Sequence, residues 1–208
     1  MLKEKNISSE TIKRLIIYLR YLDMLRKRKI KVISSENITS YLNVQPSQFR
    51  KDLSFFGEFG KRGVGYDVEN LAGAIEKILG LEDEIDVILV GVGKLGAALV
   101  QYSGFKKINV RIAACFDKNP EKIGARVGSM VIEDIKNAGK IIKATGIRVA
   151  VICVPVEEAQ PVAEHIVKLG IKGILNFTPT VLVLPGSVYV SNVDMASELG
   201  NLIYYLKK

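Results

Sequence analysis

Three glycines at fixed spacing mark the stretch of this sequence most suited to chemistry. The segment "LVGVGKLGAALV" (89–100) places Gly91, Gly93 and Gly96 between an apolar run and a run of small residues. A tight turn, a close approach of backbone to pyrophosphate and close helix–strand packing each require a glycine in this pattern. The helix that follows offers free N–H groups to phosphates. The pattern therefore predicts a dinucleotide-binding loop. The residues expected to contact the cofactor are Gly91, Val92, Gly93, Lys94, Leu95 and Gly96.

A carboxylate follows the glycine loop at a meaningful distance. Asp117, in "CFD", lies 21 residues beyond Gly96 at the end of the next strand-like run. An acidic residue there accepts hydrogen bonds from the adenosine ribose and repels a 2′-phosphate. We expect Asp117 and its neighbour Lys118 at the ribose, and NADH or NAD⁺ as the cofactor, although Lys118 weakens the exclusion of NADP.

The sequence is poorly supplied with groups for catalysis. The one histidine, His165, lies in a helical pattern, no Tyr-x-x-x-Lys pair occurs, and Cys115 and Cys153 read as separate reduced thiols. Hydride transfer needs an acid/base group beside the cofactor, and no metal-binding cluster is visible. We expect no enzyme. Two alternatives stay open: an NAD-dependent dehydrogenase with a basic accessory domain, and a CoA- or nucleotide-binding module without a DNA function.

The charge is divided unevenly along the chain. Residues 1–66 hold 14 Lys and Arg against 6 Asp and Glu, whereas the remaining residues hold 16 of each. A basic segment beside a neutral one predicts a polyanionic partner for the first segment only. No apolar run reaches the roughly 18–20 residues that span a bilayer, and no signal peptide is visible. We expect a cytoplasmic protein without a membrane partner.

The basic segment has the pattern of a DNA-binding domain. Asn43 suits the end of one short helix and Pro46 the first turn of the next, which predicts a helix-turn-helix. Residues 57–66, "GEFGKRGVGY", predict a β-hairpin wing with a basic tip. The residues expected to contact operator DNA are Ser47, Gln48, Arg50, Lys51, Ser54, Lys61 and Arg62.

The rest of the chain alternates apolar strand-like runs with helical patterns. This alternation predicts an α/β domain with a Rossmann-type parallel sheet covered on both faces. The predicted strands are "DVILV" (86–90), "NVRIAACF" (109–116), "IRVAVICV" (147–154), "KGILNF" (172–177) and "TVLVL" (180–184). A last helix, capped by Asp194, carries an apolar stripe. The predicted domains are a winged-helix domain (1–79), a Rossmann domain (80–190) and a C-terminal helix (191–208).

Several motifs resemble those of the Rex family of redox-sensing transcriptional repressors. The motifs "QFRKDLSFFGEFGKRGVGY", "GVGKLGAAL", "CFD", "GIKGILNFTP" and "NVDM" have the order and spacing of that family. The resemblance covers nearly the whole chain. It implies a homodimer with a domain-swapped C-terminal helix, which binds palindromic operators of anaerobic and fermentative genes and is released by NADH.

The resemblance also implies roles for residues outside the glycine loop. Val154-Pro155 and Asn176-Phe177 match strand-end segments beside the cofactor. A polar network linking the first helix, the cofactor loop and the swapped helix is matched by Arg20, Tyr102 and Asp194. Lys94, Thr178 and Met195 depart from the residues expected for the family. Apolar side chains such as Phe177 and Met195 would disfavour the charged ring of NAD⁺.

Overall fold

The computed structural model describes residues 7–61 and 63–207, which form two compact units. Unit 1 comprises residues 1–84 together with Lys107–Asn109, and unit 2 comprises Ile85–Lys106 together with Val110–Lys208. Arg62, predicted to contact DNA, lies outside the described residues. No helix within the described ranges is long and apolar enough to cross a membrane.

The described residues of unit 1 form four α-helices and one short antiparallel strand pair. The helices are α1 (Ser9–Lys27), α2 (Ser35–Leu42), α3 (Pro46–Ser54) and α4 (Val68–Leu79). The strands are β1 (Val32–Ile33) and β2 (Tyr66–Asp67). The core comprises side chains from all four helices and both strands, among them Leu15, Tyr18, Leu22, Ile33, Ile38, Phe49, Tyr66 and Ile75.

The first helix begins as its sequence requires but buries a slightly different face. Ser8 caps α1 by accepting a hydrogen bond from the Thr11 N–H. Ile12 and Ile16 have the i, i+4 spacing of an apolar helical face, yet they are only partly buried. Tyr18 is fully buried instead. The face is rotated because the Tyr18 ring packs edge-on against Phe49 of α3 at 4.9 Å.

The helix-turn-helix is confirmed, and its turn follows from two residues. Asn43 ends α2 in the left-handed conformation with φ of 52°, and Pro46 is the first residue of α3. The wing was predicted less well. Among the described residues of the segment 57–66 there is no regular hairpin, and a single antiparallel bridge joins Lys61 to Gly65. The regular pairing runs between β1 and β2, since the glycines give the segment no side chains to pack across a ladder.

Unit 2 is built around a seven-stranded sheet. Its strands are β3 (Ile85–Val90), β4 (Val110–Asp117), β5 (Arg126–Val127), β6 (Met130–Asp134), β7 (Val149–Ile152), β8 (Gly173–Asn176) and β9 (Tyr189–Asn192). The order across the sheet is β5-β6-β4-β3-β7-β8-β9, and only the β5–β6 pair is antiparallel. The chain therefore reverses its winding at β3, where open α/β sheets bind ligands. The parallel Rossmann-type sheet predicted from the sequence is confirmed.

Four helices accompany the sheet. They are α5 (Lys94–Val100), α6 (Ala138–Thr145), α7 (Val156–Lys168) and α8 (Met195–Leu206). Two clusters of buried apolar side chains contain residues of the central strands: one includes Ile88, Phe116 and Ile152, and the other Leu89 and Cys115. The alternation of these residues along each strand shows that both faces of the sheet are covered.

In unit 2, one predicted strand was wrong and three strands were missed. The segment 180–184 forms no strand, because Gln160 of α7 exchanges two hydrogen bonds with the backbone of Val183. Val181 and Val183 point to solvent while Leu182 is buried. The edge position beside β8 belongs instead to β9. The short strands β5 and β6 were also not predicted, since "RVGSMVIED" (126–134) has little apolar alternation.

The C-terminal helix was predicted correctly, and it exposes its apolar stripe. Asp194 caps α8 by accepting hydrogen bonds from the N–H groups of Ala196 and Ser197. No residue of α8 is buried. The stripe consists of Met195, Leu199, Leu202, Ile203 and Leu206, all exposed.

Candidate nucleotide cleft and recognition helix

The glycine loop is shaped by contacts that exclude side chains at two positions. Gly91 has φ of 96°, and a Cβ there would lie 2.6 Å from the Cys153 carbonyl oxygen. A Cβ on Gly96 would overlap the Gly91 carbonyl oxygen. At Gly93 a Cβ would meet nothing within 4 Å. The first and third glycines are therefore required by the protein itself, whereas the space at Gly93 is open to a ligand.

Asp117 fastens this loop to the end of the neighbouring strand. Its Oδ2 accepts hydrogen bonds from the Val92 N–H at 2.9 Å and from Lys122 Nζ at 3.0 Å. Its Oδ1 accepts the Asn119 N–H at 2.9 Å. Burial alone would raise the pKa of Asp117, but these three donors outweigh it and hold the pKa below the ordinary value. The carboxylate is thus ionised at neutral pH.

A cleft of about 670 Å³ opens at the carboxyl ends of β3, β4 and β7. This volume lies in the range of small-molecule sites. Eight of the twelve residues predicted for the cofactor line it: Gly91, Gly93, Lys94, Leu95, Asp117, Lys118, Val154 and Pro155. Val92 and Gly96 belong to the same glycine segment and are buried. The structure therefore brings ten of the predicted residues together at one place.

Asn176 and Phe177 do not line this cleft. Asn176 is fully buried, and its amide nitrogen donates to the carbonyls of Thr178 and Thr180 and to Asn192 Oδ1. Phe177 packs against a core cluster of unit 2. Thr178 donates its hydroxyl to the Val154 carbonyl at 3.0 Å. Here the structure shows these residues holding strand ends together.

Sequence reasoning missed several residues of the cleft. Lys122 and Asn119 bind Asp117, and Glu158 of α7 pairs with Lys118 at 2.6 Å. Cys153 and His165 also line the cleft. Of these residues, only Lys122 could have been suspected from the sequence, because it lies five residues after Asp117. Burial raises the pKa of the Cys153 thiol to about 12, so it is neutral and unreactive at pH 7.

The exposed face of α3 carries most of the predicted DNA contacts. Ser47, Arg50, Lys51 and Ser54 are exposed, and Gln48 is half-buried. Ser54 donates its hydroxyl to the Lys51 carbonyl. A helix-turn-helix reads DNA through such an exposed second helix. We refer to α3 as the recognition helix.

Arg50 and Lys61 line a second, polar cleft in unit 1. The cleft measures about 640 Å³, and its walls come from the start of α2, the recognition helix and the wing. Within it, Arg50 donates to Ser35 Oγ at 3.0 Å and lies 3.9 Å from Glu36. The guanidinium therefore points back to α2, and contact with a base requires it to turn outward.

A buried carboxylate behind the recognition helix was also missed. Asp52 is fully buried and accepts hydrogen bonds from Arg14 and Tyr18 of α1. Burial would raise the pKa of Asp52, yet the donors lower it overall. The same contacts raise the pKa values of Arg14 and, together with burial, Tyr18.

The three residues of the predicted polar network lie in separate surroundings. Arg20 is exposed on α1 of unit 1. In unit 2, Tyr102 is exposed and packs edge-on against Phe105 at 5.2 Å. The Asp194 carboxylate accepts the Ser197 hydroxyl at 2.6 Å. Over the part of the chain that the structure describes, no hydrogen bond joins Tyr102 to Asp194. The predicted network therefore stays a prediction.

Two protein-family models match this chain. One, described as a CoA binding domain, matches residues 82–180. The other, described as a putative DNA-binding protein N-terminus, matches residues 6–54. The boundary between them falls close to the division between the two structural units.

Curated relatives and solved structures match nearly the full length. The "Redox-sensing transcriptional repressor Rex" of Brevibacillus brevis is 45% identical over 206 residues, covering 99% of this chain and all of the relative. A relative of the same name from a Roseiflexus species is 44% identical, covering 95% and 90%. The crystal structure of RSP with β-NAD⁺ and operator DNA aligns with a TM-score of 0.89 at 36% identity, covering 96% and 92%. RSP with β-NADH aligns at 0.85 and 34% identity, covering 98% and 95%.

Proposed function

The chain belongs to the Rex family of redox-sensing transcriptional repressors, and from this premise we propose that it represses transcription according to the NADH/NAD⁺ ratio. Unit 2 binds NADH or NAD⁺ in the cleft beside the glycine loop. Unit 1 binds operator DNA in the cytoplasm. The family is one of repressors rather than enzymes, so neither a dehydrogenase nor a nucleotide-binding module without a DNA function is proposed.

The cofactor assignment rests above all on the glycine loop and on the hydrogen bonds by which Asp117 fastens it. We call this set of hydrogen bonds the clasp. A dinucleotide pyrophosphate would fit the open space at Gly93, the N-cap of α5, because Gly93 offers no side chain to cap the first N–H groups of the helix. Lys94 lines the same cleft and supplies positive charge. The adenosine ribose would lie at Asp117 and Lys118. RSP, with the same fold, has been crystallised with both β-NAD⁺ and β-NADH.

Discrimination between the two nicotinamide forms would come from the charge of the ring. NAD⁺ carries a positive charge on the ring and NADH does not, and an apolar environment disfavours an unpaired charge. Beyond the loop, the apolar residues of the cleft wall include Val154, Pro155, Pro161 and Val162. Phe177 and Met195 were expected to share this role. In the single chain Met195 is exposed, so its part would depend on a second subunit.

The DNA assignment rests on the recognition helix and the basic charge of its unit. Ser47, Arg50, Lys51 and Ser54 expose their side chains on one short helix, and Lys61 is exposed on the wing. Such a helix enters the major groove, with arginine suited to guanine and lysine to phosphate. RSP has been crystallised with operator DNA.

We also propose a homodimer, supported by the exposed stripe of α8. Five apolar side chains on a twelve-residue helix face solvent in the single chain. Contiguous apolar surface of this kind marks an interaction site. A second copy packing on α8 would bury it, and two recognition helices would then read a palindrome with half-sites about one helical turn or a multiple apart.

The switch requires NADH to bind one dimer arrangement better than the other. A ligand shifts an equilibrium only by its differential affinity for the two states. A coupling of about 1–3 kcal/mol would weaken operator binding about 5–150-fold.

The deciding experiment selects DNA ligands from a random pool without cofactor and then measures affinity at fixed salt. NADH is expected to release the selected operator, whereas NAD⁺ is expected to leave it bound. Equal affinities with NADH, NAD⁺ and no cofactor would overturn the sensor function. Calorimetry with each nucleotide, in the absence of DNA, tests the cleft separately.

A further inference from the structure

Asp52 is a charged side chain that the folded protein shields from solvent. It lies in the last turns of the recognition helix and is fully buried. Its Oδ1 accepts from Arg14 at 2.8 Å and from Gln48 Nε2 at 2.7 Å. Its Oδ2 accepts from Arg14 at 2.6 Å and from Tyr18 at 2.8 Å. These four donors occupy the about four acceptor sites of a carboxylate.

Because donors occupy all its acceptor sites, the Asp52 carboxylate can affect DNA binding only by positioning the side chains that donate to it. Arg14 and Tyr18 both belong to α1, and they fix the position of the carboxylate from behind. Burying such a pair contributes little net stability compared with apolar packing. Its distinctive effect is geometric, because a bidentate arginine holds the carboxylate in one orientation.

Gln48 is the one donor to Asp52 that belongs to the predicted DNA-contacting set. It lies one turn before Asp52 and donates through its amide nitrogen. Its Oε1 accepts no hydrogen bond from the residues that the structure describes. The side chain is half-buried beside the exposed Ser47 and Lys51. The contact therefore commits the amide nitrogen inward and leaves the carbonyl oxygen as the acceptor for a partner.

We propose that Asp52 is a positioning residue that fixes the Gln48 amide, so that Gln48 presents an acceptor to an exocyclic amino group of a base. This inference rests on the proposed DNA function. Adenine N6 and cytosine N4 are the amino groups in the major groove. A free glutamine loses substantial rotamer freedom on binding, and holding it beforehand removes that loss. Arg14 and Tyr18 act only through Asp52.

The test compares base preference between variants at fixed salt. The operator is first selected from random DNA with the unmodified protein, and each position is then substituted in turn. Gln48→Ala is expected to flatten the preference of about ten-fold at one position in each half-site. Asp52→Asn is expected to flatten the same position, because its amide nitrogen opposes the donors of Gln48 or Arg14. The double variant should add little beyond either single variant.

A variant that weakens unit 1 elsewhere separates positioning from general destabilisation. Glu76→Gln removes the carboxylate that pairs with Arg26 at 2.6 Å, between α4 and α1. It is expected to lower the melting temperature and leave the base preference unchanged. Positioning by Asp52 is refuted if Asp52→Asn lowers affinity for all sequences equally, or if its effect adds fully to that of Gln48→Ala.

Gln48→Glu keeps the inference testable if Asp52→Asn does not fold. Glutamate retains an outward acceptor but cannot donate to Asp52, and the two carboxylates repel. Loss of the preference would support fixation by Asp52, whereas a retained preference would refute it. Comparing operators at one salt concentration cancels the general effect of the added charge. If the unmodified protein selects no DNA, the proposed function itself fails; any other failure concerns Asp52 alone.

Discussion

The candidate sites of the two units are held in place by different kinds of contact. In unit 2 the glycine loop that lines the cleft is shaped by backbone contacts at Gly91 and Gly96, and Asp117 fastens it. In unit 1 the site is mostly side chains on one helix, with Arg50 turned toward α2 and Gln48 held by Asp52. A backbone site is fixed by the fold, whereas a side-chain site is fixed by local partners. The two should therefore respond differently to substitution.

The largest effect is expected from a glycine of the backbone site. Gly96→Ala places a methyl group against the Gly91 carbonyl, and such overpacking destabilises by about 1–3 kcal/mol or more. Gly93→Ala is the matched control, because nothing lies within 4 Å of the added atom. Thermal melting should reveal the loss only for Gly96→Ala, while calorimetry should show weaker NADH binding for both. Equal stability of the two variants would contradict the geometry of the loop.

The next effect is expected at the clasp. Asp117→Asn removes the charge that accepts two N–H groups and Lys122, and it should destabilise unit 2 by about 1–3 kcal/mol. Lys122→Ala keeps both N–H contacts and should lose no more than about 1 kcal/mol, since Lys122 is partly exposed. Urea denaturation measures stability and calorimetry measures NADH affinity. If Lys122→Ala lowered the stability more than Asp117→Asn, the two N–H contacts of Asp117 would not be what holds the loop.

In the side-chain site, Arg50→Ala should leave stability almost unchanged and weaken operator binding. A base contact makes the loss about 1–3 kcal/mol and confines it to one position. Lys51→Ala is the comparison, because a phosphate contact weakens all sequences alike and lowers the salt slope by about one. Binding measured at several salt concentrations distinguishes them. A uniform loss for Arg50→Ala would make it a phosphate contact as well.

The smallest effect is expected from pH, to which two of the four aspartates of unit 1, Asp52 and Asp23, should respond in opposite directions. The pKa of Asp52 is lowered in the folded protein, so its contribution to stability is present above the ordinary aspartate value of about 3.9 and is lost as the pH falls through the folded value. Asp52→Asn should flatten this acid loss. Asp23 has the opposite sign, because burial raises its pKa; Asp23→Asn should steepen the loss. Urea denaturation followed by NMR signals of unit 1, from pH 6 to pH 2.5, tests both.

Local signals predicted the elements of the chain well. Asn43, Pro46 and Asp194 act within a few residues of their own positions, so the helix ends they imply were found. The glycine loop was predicted for the same reason. The strand at 180–184 failed because its alternation is real, yet Gln160, some twenty residues away, takes its backbone hydrogen bonds.

The features that the sequence did not predict depend on contacts with residues far along the chain. Asp52 resembles an ordinary charged residue on an exposed helix until Arg14, 38 residues earlier, is brought against it. Asn176 matched a cofactor segment, but the structure joins its amide nitrogen to Asn192, 16 residues later. Tertiary contacts of this kind leave no pattern in the local sequence, and only the folded chain reveals them.

The clasp by Asp117 also bears on how quickly the protein can respond. The loop takes its shape from the protein's own carboxylate, because the Val92 N–H donates to Asp117 Oδ2. Ligand entry therefore need not wait for the loop to fold. Association should proceed at a rate set by diffusion and orientation, and the lifetime of the bound state would be set by dissociation alone. After a rise in NADH, release of the operator would then not be delayed by folding of the glycine loop.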